Sequence, residues 1–180
     1  MKWQFDPAHT IVEASAKHMM FTTVRVNFTG TTGEIEFEPD SPSGASVRLT
    51  IPPASLASRD ERRDGHLKSP DFLDVANYPE ISFASSRVEQ VGENLFKVTG
   101  DLAIRGARKP VAVNVLLHGV FDDPRSGKRA FLDANVTIDR REWGLVWNMP
   151  VPQGLLVGNE VTIEFSIEAV PAQPSENQAA

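Results

Sequence analysis

The side chains with the widest chemical capacity are four histidines and one dense run of charge. His9 follows Phe5-Asp6-Pro7-Ala8 at the start of an extended segment and His18 lies at its far end; His66 closes the charged run, and His118 falls inside a long apolar stretch. No two stand at the His-x-x-x-His spacing that puts both imidazoles on one helical face, and no neighbouring carboxylate pattern marks a zinc site. A three-histidine site assembled by the fold competes with a plainer reading, in which each ring is hydrogen-bonded or exposed. The plainer reading is preferred, because imidazole serves as a hydrogen-bonding group as readily as it ligates metal. No metal is expected.

The run RDERRDGHLKSPDFLD, residues 59–74, holds nine charged side chains and a histidine before turning apolar at Phe72 and Leu73. Acid–base catalysis needs two titratable groups held in one cleft. Asp60, Asp64 and His66 are close in sequence, yet charges on a short helix pair locally, as Asp60 could with Arg63 at i+3. The run therefore reads as the wet face of a short connecting helix. No catalytic residue is expected; the competing enzymatic reading would use His66, Asp64 and Arg140. Neither a Gly-x-Ser-x-Gly elbow, nor a P-loop, nor a dinucleotide fingerprint occurs, and a chain without cysteine has no thiolate to offer.

The elements that must position these groups are strands. Segments 11–19, 24–30, 33–39, 45–52, 80–91, 94–104, 110–121, 129–139 and 159–170 are short, rich in β-branched and aromatic residues, and bounded by Gly, Pro, Asp or Ser. In the last, Val161, Ile163, Phe165 and Ile167 alternate with Thr162, Glu164, Ser166 and Glu168, so one face is buried and the other wet. Turn residues at 91–94 and 122–129 suit antiparallel reversals. Nine or ten such strands joined by short loops predict a closed barrel or a sandwich. Only residues 55–69 lack alternation; Ser55 or Ser58 as N-cap and Gly65 as stop predict a crossover helix over about 56–68. The polar tail 171–180 reads as disordered, leaving one domain over 1–170.

Composition limits the partners. Lys plus Arg number 18 against 24 Asp plus Glu, a net charge of −6, which repels a phosphate backbone and argues against nucleic acid. No apolar stretch approaches the roughly 18 residues needed to cross a bilayer, and nothing in the first thirty residues reads as a signal peptide. With Met1 as native start the expected location is cytoplasmic; it is periplasmic if a signal peptide has been removed.

Five blocks then carry a resemblance: FDPAHTIVEASAKHM, SRDERRDGHLKSPDFLDVANYPEISFASS, VTGDLAIRGARKPVAVNV, TIDRREWGLVWN and LVGNEVTIEFSIEA, in that order. Over residues 3 to 170 the chain resembles the YceI-like family of polyisoprenoid-binding proteins. The resemblance implies an all-β fold, a lipocalin-like antiparallel barrel of eight strands with a helical crossover. It also implies a homodimer, and an interior that holds a polyisoprenoid, an isoprenoid quinone or a fatty-acid derivative. Binding, sequestration or transport of such a lipid, without catalysis, is the implied function; no cofactor beyond the bound isoprenoid or quinone-like lipid is expected. The chain departs from the family at Ala14, where an aromatic is usual, at Val26-Asn27-Phe28, and at Phe72-Leu73-Asp74 in place of Phe-Phe-Asp. Changes at wall positions alter cavity width.

A lipid carrier needs an apolar lumen and a rim that meets a polar head. Lumen candidates are Phe21, Phe28, Phe37, Phe72, Phe83, Leu102, Ile104, Phe131, Val136, Trp143 and Phe165, with Met19 and Met20 as adaptable fillers. Burying a chain of about ten carbons contributes about 0.8 kcal/mol per CH₂, so strong polar contacts are not required. Head-group candidates are Arg59, Arg63, His66, Arg105 and Arg140, because guanidinium forks suit phosphate or carboxylate. Local pairing competes for them, as of Arg140 with Asp139 or Glu142.

Overall fold

Alternation along the strands decides which side chains turn inward. Phe96, Val98, Leu102 and Ile104 are buried at every second position of one strand, with Gly100 completing the series, while Leu95 and Lys97 face out. The computed structural model describes residues 1–173 and contains the strands β1 (Lys2–Phe5), β2 (Ile11–His18), β3 (Thr22–Phe28), β4 (Thr32–Glu38) and β5 (Ser41–Ile51). A crossover with helix α1 (Glu61–Lys68) leads to β6 (Ile81–Gln90), β7 (Leu95–Ile104), β8 (Ala107–Asp123) and β9 (Gly127–Asp139). A two-stranded flap, β10 (Pro150–Val151) and β11 (Gly154–Leu155), precedes β12 (Glu160–Pro171).

Eight strands close a ring in the order β1-β4-β5-β6-β7-β8-β9-β12 and back to β1, all antiparallel. Strand β1 is the seam: Trp3 stands opposite Pro171 on one side and Ile35 on the other. Trp3 is fully buried and stacks on Phe37 with ring centroids 5.3 Å apart. The eight-stranded barrel and the crossover helix agree with the expectation.

Residues 2–18 form one long strand broken at 6–10, and both halves run along the same edge of β12. Residues 22–38 form a second, broken where Gly30 takes φ +70. Their outer halves, β2 and β3, project past the ring as a hairpin, so one end of the barrel is taller on that side. The crossover 52–80 packs into the gap that opens beside β3, where Asn27 and Ala57 exchange backbone hydrogen bonds.

The barrel bends at bulges. At the β6/β7 bulge between Ser85 and Arg87, a Cβ on Gly100 would stand 2.4 Å from the Ala84 carbonyl oxygen, so only glycine fits.

Three local expectations change. The N-cap of α1 is Asp60, whose carboxylate accepts from the Arg63 N–H, not Ser55 or Ser58; Gly65 lies inside the helix. Ser58 instead binds Asp64. The last strand continues through Pro171, and the Ala172 N–H donates to the Lys2 carbonyl, so residues 171 and 172, expected in the disordered tail, belong to the barrel; residues 174–180 lie outside those described. Strands β10 and β11, of 2 residues each, are too short to show a period of two, whereas β1, of 4, buries Trp3 and Phe5 and exposes Lys2 and Gln4.

Candidate functional site: a two-part cavity in the barrel

The inward faces of the ring strands leave a central cavity of about 120 Å³ with an apolar lining, to which Phe37, Phe83, Leu102, Ile104, Val136 and Phe165 contribute. Above it, between the β2–β3 hairpin, α1 and the roof segment 140–157, lies a wider chamber of about 800 Å³ that includes Phe28, Phe72, Leu145 and Trp147. Ala14 lines both. One face of β12 passes from chamber to lumen, Val161 in the first and Ile163, Phe165 and Ile167 in the second. Ala14, a small side chain, is thus the residue at which the walls of the two spaces meet.

Three lumen candidates stand elsewhere. Phe131 faces outward against Phe121, centroids 5.9 Å apart, because Leu132, Ala134 and Val136 hold the inward phase of β9. Trp143 is buried beside the lumen without lining it; its indole N–H donates to the Leu102 carbonyl at 2.9 Å. Phe21 is 73% exposed at the tip of the β2–β3 hairpin, with Met19 and Met20 beside it. Leu145 and Trp147 were missed by the sequence reading; they sit in the TIDRREWGLVWN block, whose irregular backbone has no period to follow.

The roof is organised by Arg140, only 4% exposed. Its Nε donates to the Gly158 carbonyl at 2.9 Å, Nη1 to those of Leu145 and Trp147 at 2.6 and 3.0 Å, and Nη2 to that of Val157 at 3.3 Å. Four carbonyls from both arms of the roof thus converge on one cation, and burial pulls its pKa below the usual arginine value. The expected pairing with Asp139 or Glu142 is not made: Asp139 pairs with Arg141, accepting from its backbone N–H and guanidinium, which lowers the carboxyl to about 2. The Arg140 guanidinium carbon lies 5.9 Å from the Phe72 ring centroid.

The other polar candidates divide. His66 lines the chamber, bonded through Nε2 to Asp71 at 2.9 Å. Arg63 also lines it, although Nε and Nη2 are drawn to the Ser58 hydroxyl and carbonyl, each at 2.8 Å. Arg59 is exposed at the turn before α1 with φ +65, and Arg105 sits in the β7–β8 turn with Nη1 on the Phe72 carbonyl at 2.9 Å; neither lines a cavity. Asp64, His66 and Arg140, the enzymatic trio, are each committed to different partners. The Ser58 hydroxyl bound to Asp64 lowers that carboxyl, which leaves it a poor proton acceptor.

Among the described residues, one group of possible metal ligands converges, Asp6, His9 and Glu168. Arg129 already lies between the two carboxylates, with Nη1 3.1 Å from Asp6 and bonded to Glu168. A guanidinium in that position satisfies both acids and fits poorly with a cation beside it. No helix among the described residues is long and apolar enough to cross a membrane.

The profile of the YceI-like domain matches residues 3–169. A UPF0312 protein of Pseudomonas savastanoi pv. phaseolicola is 32% identical over 147 residues, 82% of this chain and 77% of that protein. The crystal structure of Burkholderia cenocepacia BcnA superposes with TM-score 0.80 at 25% identity, covering 92% of this chain and 99% of that one. A polyisoprenoid binding domain from Saccharophagus degradans superposes with TM-score 0.71 at 14% identity, over 94% of this chain and 98% of that one, a likeness of fold.

Proposed function

The chain belongs to the YceI-like domain family, and from that premise we propose that it binds and carries a long-chain amphiphile, a polyisoprenoid, isoprenoid quinone or fatty-acid derivative, without chemically altering it. The observation that carries this reading is the apolar lumen adjoined at Ala14 by a wider chamber with polar groups in its wall. An extended hydrocarbon tail suits the narrow lumen. A bulkier ring or head, or the remainder of a folded tail, suits the chamber, with His66 and Arg63 within its wall. Transfer of each CH₂ from water contributes about 0.8 kcal/mol, so the tail supplies most of the affinity. The separate commitments of Asp64, His66 and Arg140 support carriage over catalysis. The proposal includes the homodimer implied by the family resemblance, to be measured by light scattering.

Native mass spectrometry of protein purified without added lipid tests the proposal. A co-purifying intact amphiphile is expected. An empty protein that converts a prenyl or acyl substrate, with turnover lost in His66→Ala, would overturn it.

A further inference from the structure

The β2–β3 hairpin ends in a turn that its residues fit badly. The Phe21 N–H closes on the His18 carbonyl at 3.2 Å, and both central residues, Met19 and Met20, have positive φ, +50 and +71. That sign pattern belongs to a type I′ turn, which favours Asn-Gly; side chains with a Cβ and a long apolar stem adopt it at a cost. The turn nevertheless presents Phe21, Met20 and Met19 at 73, 48 and 37% exposure. Local strain that exposes apolar side chains is a sign of function rather than of folding economy.

The tip is also braced. The Met19 N–H donates to the Leu156 carbonyl at 2.8 Å, the Gly158 N–H to that of Lys17 at 2.8 Å, and the Met20 thioether lies over Gly154. The β10–β11 flap is thereby fixed to the hairpin and adds exposed Met149 and Leu155 to the same rim. Just inside it, the chamber wall carries the cations Lys17, Arg62 and Arg63 against one carboxylate, Asp60, in a chain of net charge −6. An apolar rim backed by cations, on an otherwise acidic molecule, is complementary to an anionic bilayer: side chains enter the acyl boundary while the cations face the phosphates.

We propose that the rim formed by Met19, Met20, Phe21, Met149 and Leu155 docks the barrel mouth on an anionic phospholipid membrane, so that an amphiphile passes between bilayer and chamber without crossing water. The inference rests on the reading of the barrel as a lipid carrier. The hairpin then has a reason to hold methionines in a turn made for asparagine and glycine.

The test is co-sedimentation with vesicles of equimolar phosphatidylglycerol and phosphatidylcholine, compared with phosphatidylcholine alone. The unaltered protein should partition onto the anionic vesicles, and raised salt should weaken that binding. Phe21→Ser should reduce partitioning about tenfold. The double change Met19→Asn with Met20→Gly should reduce it similarly while raising the melting temperature, because the new residues suit the turn; a loss of binding is then not a loss of fold. Unchanged partitioning of both variants, equal binding to neutral vesicles, or a shift from dimer to monomer in Phe21→Ser would overturn the proposal. Uptake of farnesol in vesicle-free solution, followed by calorimetry, separates the two readings. Variants that keep uptake and lose vesicle binding support docking, whereas vesicle binding by a protein that takes up no amphiphile would sink the carrier reading alone.

Discussion

His66 and Trp147 meet edge to face, ring centroids 4.5 Å apart and planes at 89°, and through this contact the crossover helix holds the roof segment over the chamber. Phe72 completes the group, 5.1 Å from His66 and 5.4 Å from Trp147. Aromatic pairs of this kind contribute about 0.5–1.5 kcal/mol beyond the area they bury. Trp147→Ala removes these contacts and should lower the melting temperature; because Trp147 also lines the chamber, it should weaken binding of farnesol by roughly threefold to tenfold. Calorimetric titration of variant and parent measures the difference; equal affinities would show that the roof does not contact the ligand.

Ala14 stands where the walls of chamber and lumen meet. Ala14→Phe should shut the lumen to a tail while leaving the chamber usable, at an overpacking cost of about 1–3 kcal/mol. Native mass spectrometry should then find shorter amphiphiles, or none, in the variant.

Arg140 holds four carbonyls that have no other donor in common. Replacing it with methionine keeps the stem and leaves buried carbonyls without that donor, at a cost of about 1–3 kcal/mol. Arg140→Lys, with one ammonium in place of the fork, should fall between the two. Urea unfolding monitored by circular dichroism gives the ranking.

Gly100 faces the Ala84 carbonyl and the Phe83 ring, so Gly100→Ala should destabilise the barrel by about 3 kcal/mol. At Gly65, where an added Cβ meets nothing within 4 Å in a helix, the same change should stabilise by about 0.5–1 kcal/mol. Denaturation midpoints of the pair compare the two sites directly.

Asp139, its carboxyl lowered from 3.8 to about 2 by Arg141, predicts a direction for pH dependence. A carboxylate with a depressed folded-state pKa contributes stability above its unfolded value and loses it as pH falls through the folded one. The melting-temperature difference between the parent and Asp139→Asn should hold above about pH 4 and shrink as pH approaches 2. A difference that is constant over that window would assign the residue no ionic role.

Much of the barrel was legible because half-buried strands print their period on the sequence: β12 and β7 can be read residue by residue. Applied strictly, the same period would have excluded Phe131, which stands five residues from Val136 and so on the opposite face. Phe21 misled because hydrophobicity alone does not distinguish a wall from a tip. The roof was less legible: Arg140 binds backbone carbonyls, which carry no residue identity, so its charge pointed to Asp139 instead. The cavity's division into lumen and chamber depends on strands β2 and β3 leaving the ring, a matter of pairing between distant segments that no local pattern encodes.

The seam at β1 also has a consequence in time. Trp3 lies in the first of these strands to be made, yet one of its two neighbours is β12, the last of them. Through most of its synthesis the chain can be no more than an open trough, its apolar lining uncovered while the ribosome works toward the final strand. Whatever amphiphile is within reach during that interval meets a trough rather than a closed container. The barrel closes around its contents only when translation has passed residue 171.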